Sequence, residues 1–324
     1  MNICVIGGSG FIGSHFINSI ADHHSVTNVD KQLPAQQIGN VINIQADVRD
    51  YESLSKAIPN DTEYIILLAA EHRDDVSPTS LYYDVNVDGA HNVLRVMAEK
   101  NIEHIIFTSS VSVYGLNKKN PDELSGIDPF NHYGKSKYEA EKVLRRWFDN
   151  DRNGKSLIIV RPTVTFGPGN KGNVYNLLQQ IASGKFVMVG RGKNKKSMAY
   201  VENVAGFIGH CLDKKFKGYH LFNYIDKPDL ATKELVHHAE AALGKKIIPI
   251  KIPYLIGYAG GVFLDVISKL TGKKFSISAV RIKKFCATTQ FSSVTIQTTN
   301  YIPQKTLAEG LEITIKSIVN NQSN

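Results

Sequence analysis

The sequence predicts an α/β chain: a doubly wound parallel sheet covered by helices on both faces, followed by a smaller α/β lobe from the C-terminal half. Three observations carry that expectation. The first half alternates short, almost unbroken apolar runs with longer amphipathic ones. A glycine-rich stretch joins the first apolar run to the first amphipathic one. After Pro162 the texture changes to glycine, proline and basic residues. Strands buried on both faces read as continuous apolar runs, and their alternation with helical segments is the mark of a parallel sheet.

Taken in order, Asn2–Ile6 reads as a strand and Ile12–Ala21 as a helix. Ser25–Val29 and Val41–Gln45 read as strands, Tyr51–Ile58 as a helix, and Glu63–Ala69 as a strand with almost no polar alternation. Val85–Lys100 is a long helical pattern, His104–Ser109 a strand, Tyr133–Phe148 a second long helix and Leu157–Arg161 a further strand. Beyond Pro162, Val174–Gly184 reads as a helix and the run from Lys185 to Lys196 as strongly basic. Tyr219–Tyr224 is strand-like and expected to recross into the sheet.

Composition bounds the class. The 324 residues are 42% hydrophobic and 21% charged, an ordinary globular balance with room for one large or two moderate domains. Cys4, Cys211 and Cys286 are far apart and lack metal-ligand spacing, so they read as reduced thiols. Eleven histidines without a paired spacing make no case for a metal. A formal charge of +8 points to anionic partners. Nucleic acid is disfavoured because no aromatic stacking platform accompanies the basic run. The N-terminus lacks the basic start and long apolar core of a signal peptide. The longest uncharged stretch, Ile252 to Leu264, holds Pro253 and three glycines and is too short to span a bilayer. The expected location is the cytoplasm, at most peripheral on the inner membrane.

Gly7, Gly10 and Gly13 form G-x-x-G-x-x-G, with Phe11 and Ile12 opening the helix that follows. Strand, glycines and helix in that order make a cradle in which backbone N–H groups and the helix N-terminus meet a pyrophosphate. Asp30 closes the second strand, where an acid binds both ribose hydroxyls of NAD and repels the extra phosphate of NADP. NAD is therefore the expected cofactor. Residues 1–162 are expected to form a Rossmann-type NAD-binding domain, with later segments recrossing into it, and 163–324 mainly a substrate-binding lobe. Asp47 and Val48, after the third strand, are candidates for the adenine.

Tyr133 and Lys137 stand four apart at the start of a helix, hence on one face. A cation beside a phenol favours the phenolate and suits it to acid/base work.

Together these pieces resemble the extended short-chain dehydrogenase/reductase family. The residues that match are Gly7, Gly10, Gly13, Asp30, Asp47-Val48, Ala69-Ala70, Asn86, Thr108-Ser109-Ser110-Val111-Ser112-Val113-Tyr114-Gly115, Tyr133-x-x-x-Lys137 and Arg161-Pro162. The resemblance implies an NAD-dependent enzyme. Its third catalytic residue lies four positions before Tyr114, at Ser110, with Ser112 as the alternative. It also places Lys137 on the nicotinamide ribose, Asn86 on a water or the lysine, and backbone near Pro162–Val164 on the carboxamide. Homodimerisation through Val85–Lys100 and Tyr133–Phe148 is implied as well.

Longer stretches, including Leu68–Pro78, Asp128–Gly134, Gly172–Leu178 and Lys283–Phe291, are similar to a narrower bacterial group. Its members are 4-epimerases of an N-acetylhexosamine carried by diphosphate on undecaprenol, in O-antigen assembly. That likeness implies transient oxidation at C4, with Tyr133 as base, Ser110 as hydrogen-bond donor and Lys137 lowering the tyrosine pKa. Arg191, Lys196 and Arg281 are candidates for the diphosphate, His72 for the sugar pocket, and Ser112 and Asn173 for further substrate contacts. His72-Arg73-Asp74-Asp75 reads equally well as a salt-bridged loop. Ile252–Phe275, apolar with basic flanks, is a candidate contact with an anionic leaflet.

The alternatives remain a soluble UDP-sugar 4-epimerase and a non-catalytic NAD-binding sensor or scaffold. A 4,6-dehydratase is disfavoured because Val111-Ser112 follow Ser110 where that group carries Asp-Glu.

Overall fold

A computed structural model describes residues 1–73, 76–116, 118–170, 172–184, 186–247, 250–272 and 278–323. Its elements run β1 (Asn2–Ile6), α1 (Phe11–Ile20), β2 (Ser25–Asp30), β3 (Ile42–Gln45), α2 (Tyr51–Ala57), β4 (Tyr64–Leu67) and α3 (Leu81–Tyr83). A π-helical turn (Asp84–Asp88) leads into α4 (Gly89–Glu99) and β5 (His104–Thr108); a 3-10 turn (Val111–Tyr114) precedes α5 (His132–Asn150), β6 (Ser156–Pro162) and β7 (Val164–Phe166). Then come α6 (Asn173–Ala182), β8 (Val187–Val189), β9 (Lys195–Tyr200), α7 (Val201–Asp213), β10 (Gly218–Tyr224), β11 (Asp226–Ala231) and α8 (Thr232–Leu243). The chain ends with β12 (Ile250–Ile252), α9 (Tyr254–Thr271), α10 (Ala279–Cys286), a 3-10 turn (Ile296–Thr299) and α11 (Leu307–Ser323).

The chain forms two compact units. The first comprises Met1–Thr165 with Val201–Ile225 and Phe291–Gln304, and the second Phe166–Tyr200, Asp226–Gln290 and Lys305–Asn324. The first unit holds one seven-stranded sheet in the order β10-β6-β5-β4-β1-β2-β3, parallel throughout. All of β4 and β6 is buried, which accounts for their apolar runs Ile65–Leu67 and Leu157–Val160. The core beside them gathers Cys4, Ile6, Val29, Ile65, Leu67, Val93, Met97, Ile105, Leu144 and Ile159. Burial pushes the Cys4 thiol up to about 12, so it behaves as an apolar side chain. The winding direction reverses between β1 and β4. In such sheets the crevice beyond the carboxyl ends of the strands at that point receives the ligand.

In the second unit β9 pairs antiparallel with β11, and β12 pairs in parallel with β8. The helices α8 and α11 pack together, as do α9 and α10. The strongly basic run from Lys185 to Lys196 therefore ends inside a strand. Lys185 itself, like Lys171, lies outside the described residues. The long helix expected from Val85 begins earlier, at Leu81, and is interrupted by the π turn.

Candidate active site

β1 delivers the chain to Gly7, whose φ of +88° suits glycine. A Cβ there would stand 2.4 Å from the Ala69 backbone nitrogen, so β1 and the end of β4 approach this closely only with glycine between them. A Cβ on Gly13 would stand 2.6 Å from both the Gly7 oxygen and the Gly8 Cα. Gly10 differs. Its φ is −73°, open to any residue, and a Cβ there would meet only the Gly7 oxygen, at 3.2 Å. The fold itself asks little of that position. A dinucleotide pyrophosphate supplies the reason for glycine there, because it needs the backbone at close range. No side chain caps α1, leaving the N–H groups of its first turn, at Phe11 and Ile12, for an anion.

Asp30 reaches this loop. Its Oδ2 accepts from the Ser9 N–H at 3.0 Å and its Oδ1 from the Gln32 N–H at 3.0 Å. An acid at the end of β2, held against the glycine loop, fits a ribose diol. The residues present therefore fit NAD. Ala69 and Ala70 follow β4 at the same end of the sheet. Asp47 is already engaged: Arg49 donates to it from Nε at 3.0 Å and Nη2 at 2.6 Å, and this pairing holds its carboxyl below the usual range. Val48 packs on Gly89, where a Cβ would stand 2.9 Å from its Cγ1.

The second cluster forms where α5 begins. Asn131 caps the helix, its side chain accepting from the Gly134 N–H at 2.9 Å. A Cβ at Gly134 would stand 2.7 Å from the Ser112 carbonyl oxygen. Glycine thus allows the serine-rich turn after β5 to lie against the first turn of α5. The Ser110 hydroxyl thereby reaches the Tyr133 phenol, with which it hydrogen-bonds. The Ser110 and Ser112 Oγ atoms lie 3.0 Å apart, within hydrogen-bond reach, so Ser112 supports Ser110. Burial raises the Tyr133 pKa, and the bond from Ser110 acts the other way by favouring phenolate.

Lys137 lies one turn along α5, only 1% exposed. Its Nζ sits 4.2 Å from the centre of the Phe107 ring. Burial brings its pKa down to about 7, against the opposing pull of the Glu141 carboxylate one further turn along. The expected lowering of Tyr133 by Lys137 is not what this structure shows. The groups acting on the phenol are its own burial and Ser110, and the charge coupled to Lys137 is Glu141. Burial is the physical reason, since it weakens the very charge that was to stabilise phenolate.

Glu141 heads a buried network that the spacing of Tyr133 and Lys137 did not announce. It accepts from the Ser109 hydroxyl, from Arg161 Nε at 2.9 Å and from Arg161 Nη2. Arg161 Nη1 donates to the Tyr114 hydroxyl at 2.7 Å, and Tyr114 in turn to Asn223 Oδ1 at 2.9 Å. Burial opposes the Arg161 charge, while Glu141 and Tyr114 hold its pKa above the ordinary value. Asn86, carried inward by the π turn, exchanges bonds with the Glu71 backbone at 2.9 and 3.1 Å and donates to Ser136 Oγ at 2.8 Å. Ser136 donates to the Tyr133 carbonyl at 3.0 Å, so Asn86 ties the segment after β4 to the first turn of α5. The one readable signal for Glu141 was its place four residues past Lys137. Pro162 ends β6.

His72 is exposed, and Arg73 pairs with Glu71 at 3.0 Å, which favours the salt-bridged loop over a sugar contact. Asp74 and Asp75 lie outside the described residues. In the second unit, Asn173 opens α6, Arg191 and Arg281 are exposed, and burial brings half-buried Lys196 down to about 8.

The family profile for the NAD dependent epimerase/dehydratase family matches residues 3–223. The N-acetyl-alpha-D-glucosaminyl-diphospho-ditrans,octacis-undecaprenol 4-epimerase of Escherichia coli O157:H7 is 51% identical over 97% of this chain and 94% of its own. The UDP-glucose 4-epimerase of Vibrio cholerae is 26% identical over 98% and 95%. Among solved structures, UDP-glucuronic acid 4-epimerase from Bacillus cereus in complex with NAD superposes with a TM-score of 0.77 at 19% identity, covering 99% of each chain. At that identity the likeness is one of fold.

Proposed function

The chain belongs to the NAD-dependent epimerase/dehydratase family, and from that premise we propose that it inverts C4 of an N-acetylhexosamine linked through diphosphate to undecaprenol. The substituent would change between the gluco and galacto configurations. The observation that carries this reading is the near full-length likeness to the Escherichia coli enzyme of that activity. The Ser110–Tyr133–Lys137 cluster supports it from the chemical side.

A sugar carbon bearing a plain hydroxyl has no acidic C–H, so inversion requires passage through the ketone. Bound NAD supplies that chemistry by accepting the C4 hydride and returning it, without net consumption. Tyr133 takes the O4 proton as the C–H bond breaks and gives it back when the hydride returns. Ser110, bonded to the phenol, holds O4 and donates to the oxygen as its charge changes. Lys137, one turn along α5, is the proposed partner of the nicotinamide ribose. The glycine loop holds the pyrophosphate and Asp30 the adenosine ribose. Asp47, Val48, Ala69, Ala70, Asn86 and Pro162 are carried forward as further cofactor contacts. Asn173, Arg191, Lys196 and Arg281 are further proposed substrate contacts, with Ser112.

A polyprenyl carrier keeps such a substrate at a bilayer, so work at the cytoplasmic membrane surface is part of the proposal. Among the described residues no helix is long and apolar enough to cross a membrane. Homodimerisation through α4 and α5 is also proposed, to be checked by light scattering.

The decisive experiment incubates the purified protein separately with the undecaprenyl-linked sugar and with UDP-N-acetylglucosamine, then identifies the hexosamine by chromatography. Conversion of the lipid-linked sugar is expected. Conversion of the nucleotide sugar alone would overturn the proposal in favour of a soluble-substrate epimerase.

A further inference from the structure

Most surface helices turn their apolar face inward and their polar face to water. In α9 the polarity is reversed. Its only buried residue is Gly261, where a Cβ would stand 2.7 Å from the Ala279 nitrogen, and a Cβ at Gly257 would stand 2.7 Å from Val189 Cγ1. Its one acid, Asp265, turns inward and accepts from the Ala279 N–H at 3.0 Å. Small and polar groups thus seat the helix on its own unit. The outer face carries Leu255, Tyr258, Val262, Phe263, Val266 and Leu270, of which Leu255 is 78%, Phe263 64% and Leu270 80% exposed. Their spacing of three and four residues makes one continuous stripe along α9.

Charge identifies what covers the stripe. From Lys251 to Cys286 the sequence holds seven basic residues and one acid. Lys251, Lys269 and Lys283 are exposed beside the stripe or on the helix packed against it, α10; Lys273 and Lys274 lie outside the described residues. A second copy would bring two such basic segments together, whereas an anionic bilayer matches both the charge and the apolar face. At 18 residues, with Asp265 and three glycines, α9 is built to lie in the interface rather than to span it. Tyr254 and Tyr258, stacked with ring centres 5.9 Å apart, suit the headgroup level.

We propose that α9 is an in-plane docking helix: its apolar stripe inserts at the headgroup–acyl boundary of an anionic membrane, and its basic flanks hold it there. The proposal deepens the lipid-linked reading above but is tested without any sugar substrate, so either can fail alone.

The purified full chain is floated with vesicles of phosphatidylglycerol and phosphatidylcholine, and with phosphatidylcholine alone. It is expected to float with the anionic vesicles and to be released as salt rises. Leu255→Gln/Phe263→Gln/Leu270→Gln is expected to weaken binding by about tenfold or more, with circular dichroism and retained NAD unchanged. Lys251→Glu/Lys269→Glu, which leaves the stripe intact, is expected to lose the preference for anionic vesicles. This second variant decides the matter if the first does not fold. Wild-type protein that ignores anionic vesicles, or variants that bind as it does, overturn the proposal. So does a vesicle-free dimer by light scattering that the triple variant dissociates, which would assign the face to a second copy.

Discussion

The helices α5 and α9 are nearly equal in length, 19 and 18 residues, yet they treat water in opposite ways. α5 buries Ser136, Lys137 and Glu141 along with its apolar residues. α9 buries one glycine and leaves leucine, valine and phenylalanine exposed. Each arrangement carries a cost that the fold alone does not explain. A buried charge is costly unless it is paired, and an exposed apolar stripe is costly unless something covers it. On the roles proposed above, the difference teaches where each helix would meet its function: α5 on the inside, at the reacting atoms, and α9 on the outside, at a surface the isolated chain does not contain.

The largest test of that contrast is Tyr133→Phe. It removes one oxygen from α5 and is expected to lower turnover by about 10²–10⁴-fold, with the fold and retained NAD intact by circular dichroism and cofactor absorbance. Comparable turnover would remove the phenol from the chemistry.

Next is Glu141→Ala, which strands Arg161 and takes away the charge that supports Lys137. Breaking a buried ion pair costs about 3–5 kcal/mol, to be read as a fall in the urea midpoint. A loss under about 1 kcal/mol would class Glu141 with surface pairs.

Paired leucines sharpen the comparison directly. Leu144→Ala on α5, at a fully buried position, is expected to cost about 2–5 kcal/mol. Leu255→Gln on α9 is expected to stay within about 0.5 kcal/mol in solution. Equal losses would mean that α9 is covered in the free protein.

The smallest effect is in pH. Folding lowers the Lys137 pKa to about 7, below its unfolded value of about 10.4. Between those values the folded state binds fewer protons, so this group adds stability as pH rises through the window and withholds it below about 7. Tyr133, raised by burial, acts with the opposite sign, and only above its unfolded value of about 10. Wild-type protein is therefore expected to gain on Lys137→Met in denaturant midpoint from about pH 7 to about pH 9.5. A constant gap would show that Lys137 keeps its charge across that range.

Much of the first unit was legible in the sequence because its strands are buried on both faces and its cofactor loop is spelled in glycines. The pairing of Ser110 with Tyr133 was legible through spacing and resemblance. Asn131 was not read as a cap, although its partner Gly134 lies three residues on, and the close approach at Gly134 depends on Ser112, a segment distant in sequence. The partnership of Glu141 with Arg161 escaped because it is made between a helix and the strand it packs on, α5 and β6. In the second unit, Lys195–Tyr200 forms a strand despite its leading lysines because pairing with β11 outweighs local propensity. The stripe on α9 was visible as apolar composition, but only structure shows that it faces outward.

The interleaving of the two units has a consequence for how the protein is made. The seven-stranded sheet takes its edge strand, β10, from residues that follow the first pass through the second unit, and that first unit gains its last segment at Phe291–Gln304. A ribosome adds about 5–20 residues per second, so β6 waits several seconds for the neighbour that covers its edge. A nascent chain halted after Thr165 would carry every residue of the Ser110–Tyr133–Lys137 cluster and still lack Asn223, the far end of the network beneath it. Completion of this network is therefore a late event in synthesis, set by the order in which the chain emerges.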